Sequence, residues 1–138
     1  EPVIQAGTLQ KRSSRAFYEE NRGRRRLCHG TPEYNHSTSA VLKNALDWVY
    51  QEWNNKPVAF VSYGSVGGAR AIEQLRQIAV ELQMAPIRNA VHIPGEQYFP
   101  VLFGKVTASD LFSSQSEKSD VMITQLLWWT RALKTARG

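Results

Sequence analysis

Two polar, turn-forming stretches constrain this chain more than any other feature: Thr31-Pro32-Glu33-Tyr34-Asn35-His36-Ser37 and Gly64-Ser65-Val66-Gly67-Gly68. Between them lie one amphipathic helical pattern and one apolar run, Pro57-Val58-Ala59-Phe60-Val61-Ser62-Tyr63. In a parallel α/β sheet, loops separated by one helix and one strand emerge at the same carboxyl edge, where such sheets bind flat, phosphate-bearing cofactors. In the second stretch, Gly64, Gly67 and Gly68 lack a Cβ, so backbone amides can approach a planar ring. That loop opens into a helix whose N-terminus favours electron-rich groups. In the first, Pro32 and Asn35 set a turn, Tyr34 offers an aromatic face, and Ser37, Thr38 or Ser39 caps the following helix.

The surrounding pattern supports alternating helices and strands. Val41, Leu42, Ala45, Leu46, Trp48, Val49 and Trp53 recur at helical spacing until Asn54-Asn55-Lys56-Pro57 stops the helix. Val58–Tyr63 is continuous enough for a strand buried on both faces. A second helix is expected over Ala69–Met84 with Ile72, Leu75, Ile78, Ala79 and Leu82 inward, then a strand over Ile87–Ile93 and a long connection from Pro94 to Ser116. The closing helix, Glu117–Ala136, carries Met122, Ile123, Leu126, Trp129 and Leu133 on one stripe, with Trp128 off it and free to reach another subunit.

Thr-Pro-Glu-Tyr-Asn-His-Ser followed by Ser-Tyr-Gly-x-x-Gly-Gly, and then by Val91-His92-Ile93-Pro94, resembles the NADPH-dependent FMN reductases, a flavodoxin-like group that includes quinone, chromate and azo-dye reductases. The resemblance implies a three-layer α/β domain with a parallel sheet and helices on both faces. It also implies noncovalent FMN, NADPH or NADH as hydride donor, a quinone or similar small-molecule electron acceptor, and a homodimer or tetramer. Carried over residue by residue, it puts Pro32, Glu33, Tyr34, Asn35 and Ser37 at the ring and ribityl chain, largely through backbone groups. Ser62, Gly64, Gly67 and Gly68 would flank the ring from the second loop. Flavin reduction asks little of protein acids and bases, so no catalytic side chain is assigned. His36 and His92 are read as capping and structural residues.

The beginning of the chain departs from that pattern. Lys11, Arg12, Arg15, Arg22, Arg24, Arg25 and Arg26 against Glu19 and Glu20 account for the whole net charge of +5, leaving the remainder neutral. Residues 1–30 show neither helical nor strand periodicity where the resembled family has a buried strand, so they are expected to form an irregular basic arm ahead of an FMN-binding domain at 31–138. A solvated arm and a shifted reading frame over Thr8–Gly30 are two accounts of it; codons of the GAN, GCN and GGN type read out of frame yield arginine. Gly7–Arg15 echoes the family's phosphate loop only faintly, and too few residues follow it for the missing helices and strand, so the amino-terminal third of the fold is expected to be lacking.

Other functions fit less well. Cys28, His29, Glu33 and His36 match no tight zinc spacing, and no Gly-x-Ser-x-Gly elbow surrounds Ser62 or Ser65. The basic arm could bind nucleic acid, but only Phe17 and Tyr18 are interleaved with its charges. A lone cysteine and the lack of any membrane-length apolar run point to a cytoplasmic chain without a membrane partner. The alternative to an active reductase is a flavodoxin-fold remnant that serves as a structural or oligomerising module.

Overall fold

The computed structural model describes residues 22–138. In chain order these form β1 (Leu27–Pro32), α1 (Ala40–Asp47), β2 (Pro57–Gly64), α2 (Ala69–Glu81), β3 (Ala85–Pro86), β4 (Val91–Pro94), α3 (Gly95–Leu102), α4 (Ala108–Ser114) and α5 (Ser116–Arg137). All strand pairs are parallel. β2 is central: β1 pairs along it from Leu27↔Val58 to Pro32↔Tyr63, β3 pairs with its beginning, and β4 pairs with its end from Val61↔Val91 to Gly64↔Pro94.

Strand alternation sorts the core into two halves. Leu27, Val58 and Phe60 pack with Leu46, Trp53, Ile72, Leu75 and Ala79 on the α1–α2 side. Ala59, Val91 and Ile93 pack with Met122 and Leu126 of α5, with Tyr98 and Leu111 alongside, on the other. The result is helix, sheet, helix, the flavodoxin-like three-layer arrangement expected. No helix among the described residues is long and apolar enough to cross a membrane.

The expected arm is shorter at its inner end than 1–30. Leu27–Gly30 belongs to β1, with Leu27 and Thr31 buried on one face and Cys28 and Gly30 exposed on the other. The rule that a parallel strand is apolar throughout holds for strands covered on both faces. Here one covered face suffices, and backbone pairing with β2 supplies the rest. Arg22, Arg24, Arg25 and Arg26 precede the strand and are exposed. Lys11, Arg12 and Arg15 lie outside the described residues.

α1 ends at Asp47, well before Trp53. The Trp53 ring folds back instead, and its buried indole N–H donates to the Leu46 carbonyl (3.0 Å), occupying an acceptor that a longer helix would have used. Val41, placed on the inward stripe by spacing, is 77% exposed. At the other end Ser39 caps the helix, its Oγ accepting from the Leu42 amide (3.2 Å). Ser39→Ala should cost about 1 kcal/mol in urea denaturation; no change would mean that the loop, and not the cap, holds this helix end.

α2 stops at Glu81 because of a Schellman turn, not because of Pro86. Gln83 takes φ 56°, the Met84 amide donates to the Ala79 carbonyl (2.8 Å), and the Gln83 amide donates to Val80 (3.0 Å). The strand expected over Ile87–Ile93 is two short strands around an irregular Ile87–Ala90. The carbonyls of Ile87 and Arg88 at that break accept from the Arg76 guanidinium (2.6 and 2.8 Å), and the Asn89 amide donates to Gln125 (2.8 Å). The segment from Pro94 to Ser116 contains α3 and α4. Thr107 caps α4, its Oγ1 accepting from the Asp110 amide (3.1 Å), a Thr-x-x-Asp pattern visible in the sequence. On α5 the buried stripe is Met122, Leu126 and Thr130; Ile123 and Trp129 are exposed with Trp128.

Candidate cofactor site

The two loops singled out in the sequence meet on one rim. The Glu33 amide leaves β1 and donates to the Tyr63 carbonyl at the end of β2 (2.9 Å). β4 ends alongside, where the Gly95 amide reaches the Ser65 carbonyl (3.5 Å). Parallel pairing and equal strand ends impose this arrangement, so three chain turns stand side by side at the carboxyl edge.

The first loop is a tight hairpin. Tyr34 and Ser37 exchange both backbone hydrogen bonds (2.9 Å each) around Asn35 and His36, which have φ 49° and 67°. Two consecutive left-handed residues are the mark of a type I′ turn, a conformation that asparagine tolerates well. The second loop closes through the Gly67 amide donating to Gly64 O (3.0 Å), followed by Gly68 at φ 74° as the N-cap residue of α2. In both turns the central amides, of Asn35 and His36 and of Ser65 and Val66, donate to no other described residue. Tyr34 stands 60% exposed beside them.

The glycines are needed for the packing of the turn itself. A Cβ on Gly64 would lie 3.0 Å from Glu33 Cβ, on Gly67 3.0 Å from His92 Cβ, and on Gly68 2.5 Å from Ser62 Cβ. Each points into the protein. The glycines let the loops sit tightly on their neighbours, and the rim is then made of backbone. Ser62 is part of that support and not of the rim: it is 0% exposed, and its Oγ donates to the Gly67 carbonyl (2.6 Å). His92 Nδ1 lies 3.2 Å from the same carbonyl and 3.3 Å from Ser62 Oγ.

Glu33, placed at the ring through its backbone, turns its side chain inward, where it is 4% exposed. Its carboxylate accepts from the Arg70 amide (3.1 Å) and from Arg70 Nε (2.5 Å). Burial alone would raise this carboxyl's pKa; the hydrogen bonds from Arg70 and the Ala71 amide, with the guanidinium charge, outweigh it and hold the group below the usual carboxylate range. A carboxylate thus occupies the N-terminus of α2, the place where phosphate would otherwise be favoured. That helix end is therefore already matched to an anion of the chain itself.

Sequence reasoning missed Arg70 and Gln74. A signal existed: a cation in the first turn of a helix opposes the helix dipole, so Arg70 needed an acidic partner close by. An apolar cleft of about 510 Å³ opens next to the rim between the sheet and α3–α4, lined in part by Pro32, Tyr63, Tyr98, Leu111 and Phe112. The Tyr63 and Tyr98 rings meet edge to face there, with centroids 5.4 Å apart.

The residues present fit a flavin's ring system in this respect: the two turns at the rim carry four amides that donate to no other described residue and would be available to the nitrogen and carbonyl edge of such a heterocycle, and an exposed aromatic ring adjoins them. The sheet, its two helical layers and the paired turns at its carboxyl edge define a flavodoxin-like α/β domain. The profile of the family "NADPH-dependent FMN reductase" matches residues 12–97, and the chain belongs to that family.

Relatives agree. An NAD(P)H-dependent FMN reductase of Schizosaccharomyces pombe is 34% identical over 98 residues, covering 70% of this chain and 49% of the relative. An NADPH:quinone oxidoreductase of Arabidopsis thaliana is 50% identical over 62 residues, covering 42% and 32%. The chain thus spans from a third to about half the length of these relatives. In fold it is similar to FerB, a flavoenzyme NAD(P)H:(acceptor) oxidoreductase from Paracoccus denitrificans, with a TM-score of 0.64 at 21% identity, covering 91% of this chain and 75% of FerB.

Proposed function

We propose that this chain holds FMN at the rim formed by Pro32–Ser37 and Gly64–Gly68, and that it takes part in NAD(P)H-dependent reduction of a quinone or similar acceptor. The observation that carries this reading is the junction of the two loops through Glu33 N–H and Tyr63 O, beside four turn amides that donate to no other described residue. When bound, FMN would supply hydride acceptance and onward electron transfer. The chain's residues would do the rest. The amides of Asn35, His36, Ser65 and Val66 would orient the ring edge and favour the extra charge of its reduced form. Tyr34 would cover one part of the ring, and the apolar cleft beside Tyr63 and Tyr98 would keep water from another.

A cytoplasmic setting, where NAD(P)H is available, fits the reading. The 62% exposure of Trp128 on α5, in edge contact with Trp129, favours a second copy of the chain as partner there. Sedimentation of the intact chain and of Trp128→Ala checks that contact; a monomer in both cases removes it.

The test is reconstitution. Purified chain mixed with FMN should quench flavin fluorescence with a dissociation constant in the micromolar range, about −8 kcal/mol, and should then oxidise NADPH or NADH in the presence of a quinone. No quenching at millimolar flavin would leave the chain as a structural module of the same fold.

A further inference from the structure

α2 presents Arg70 and Gln74, one turn apart, to the first loop. The Arg70 guanidinium donates from Nε to Glu33 Oε1 (2.5 Å), pairs with the same oxygen through Nη2, and donates from Nη1 to His36 Nε2 (2.6 Å). Its own backbone amide donates to the other carboxylate oxygen (3.1 Å). Gln74 Nε2 donates to the His36 carbonyl (2.8 Å), and Ser37 Oγ donates to Gln74 Oε1 (2.6 Å).

These bonds clamp the two flanks of the hairpin, Glu33 on one side and His36–Ser37 on the other, and leave Tyr34 and Asn35 facing out. The clamp has work to do. His36 sits at φ 67°, a left-handed conformation that a non-glycine residue keeps only when its surroundings hold it. The contact also needs His36 Nε2 as an acceptor, because a guanidinium only donates. A lysine could not replace the fork: one ammonium on a flexible stem does not span a carboxylate and an imidazole in a fixed plane.

We infer that Arg70 is a positioning residue for the cofactor loop: with Gln74 it locks the Glu33–Ser37 turn in its left-handed shape, and so sets the affinity for a flavin ring. This rests on the flavin reading of the rim. Arg70 itself would not touch the ring.

The test measures three things on Arg70→Gln, Arg70→Lys, Glu33→Gln and the gentler Gln74→Ala: amide hydrogen exchange across residues 33–38 in the flavin-free chain, the dissociation constant for FMN, and the urea midpoint. Arg70→Gln should speed exchange at the Tyr34 and Ser37 amides by about tenfold and weaken FMN by about tenfold or more, which is about 1.4 kcal/mol. Arg70→Lys should recover little of either, and adding Glu33→Gln to Arg70→Gln should cost less than about twofold more, since both break one clamp. Gln74→Ala should show the same pair of effects at about threefold, with the urea midpoint nearly unchanged. Exchange at wild-type rates in Gln74→Ala and Arg70→Gln overturns the clamp. Faster exchange with FMN affinity within twofold of wild type overturns its role in binding. If the unaltered chain binds no FMN, the flavin reading and the affinity half of the inference fall together, and the exchange rates alone decide the clamp.

Discussion

Gly68→Ala is expected to lower the unfolding free energy by about 2–5 kcal/mol, the sum of left-handed strain of about 1–2 kcal/mol and overpacking of about 1–3 kcal/mol. The backbone there has φ 74°, and a Cβ would stand 2.5 Å from Ser62 Cβ and 3.0 Å from the Tyr63 nitrogen. The second of those is strand backbone and cannot swing aside. Ser62, fully buried and bonded to the Gly67 carbonyl, has no room to retreat either. The β2–α2 turn would have to lift, separating Gly64 from Glu33 and opening the rim. Urea denaturation measures the loss, and a fall below about 1 kcal/mol would show that the turn is softer than its packing implies. Removing the opposing Cβ with Ser62→Gly in the same chain should recover part of the loss, a non-additivity that a clash requires. Gly30→Ala is the control: nothing lies within 4 Å of its added Cβ, so stability should stay within about 0.5 kcal/mol.

Acid should weaken the fold through His29. This ring sits between Trp53 and Phe60, with centroids 6.0 and 6.4 Å away, and its Nε2 is buried without a hydrogen-bond partner among the described residues. Burial pushes its pKa down to about 4. The folded value lies below the unfolded one of about 6.5, so as pH falls the unfolded chain takes up the proton first, and stability drops between pH 6.5 and about 4. Over the full window the loss approaches about 3 kcal/mol, at 1.36 kcal/mol for each pH unit of difference. Glu33 acts in the same direction at lower pH, because its depressed carboxyl stabilises the fold only while ionised. His29→Phe should leave stability at pH 7 equal or slightly higher, having removed a buried unpaired nitrogen, and should flatten the profile between pH 6.5 and 4. Urea midpoints at closely spaced pH values make the comparison; a wild-type profile as flat as that of the variant would remove His29 as the cause.

Much of the fold was legible because its repeats are strong. Ile72, Leu75 and Ala79 lie inward on α2 as their spacing requires, and β2 is buried along nearly its whole length. Periodicity failed where a side chain or a turn overrode it. Trp53 belongs to the helical series of α1 by spacing, yet it ends that helix by bonding Leu46. Gln83 terminates α2 in a conformation usually given to glycine. β1 was invisible because the test applied was that of a strand covered on both faces, whereas Cys28 and Gly30 face outward.

The meeting of the two loops at one edge was legible in the sequence, and the contacts that support them were not. Turn chemistry at Pro32–Ser37 and Gly64–Gly68 is local, and so is the order of loop, helix, strand and loop that brings both to one edge; these the amino-acid sequence determined alone. Which groups face the rim depends on contacts between residues far apart in the chain. The Glu33 carboxylate finds Arg70 across 37 positions, and Ser62 lies under Gly68 because the turn folds back over β2. Local pattern carries the conformation of a turn, since φ and ψ answer to the residue itself. The direction of a side chain answers to whatever charge or space the rest of the molecule brings beside it, and only the tertiary structure could decide that.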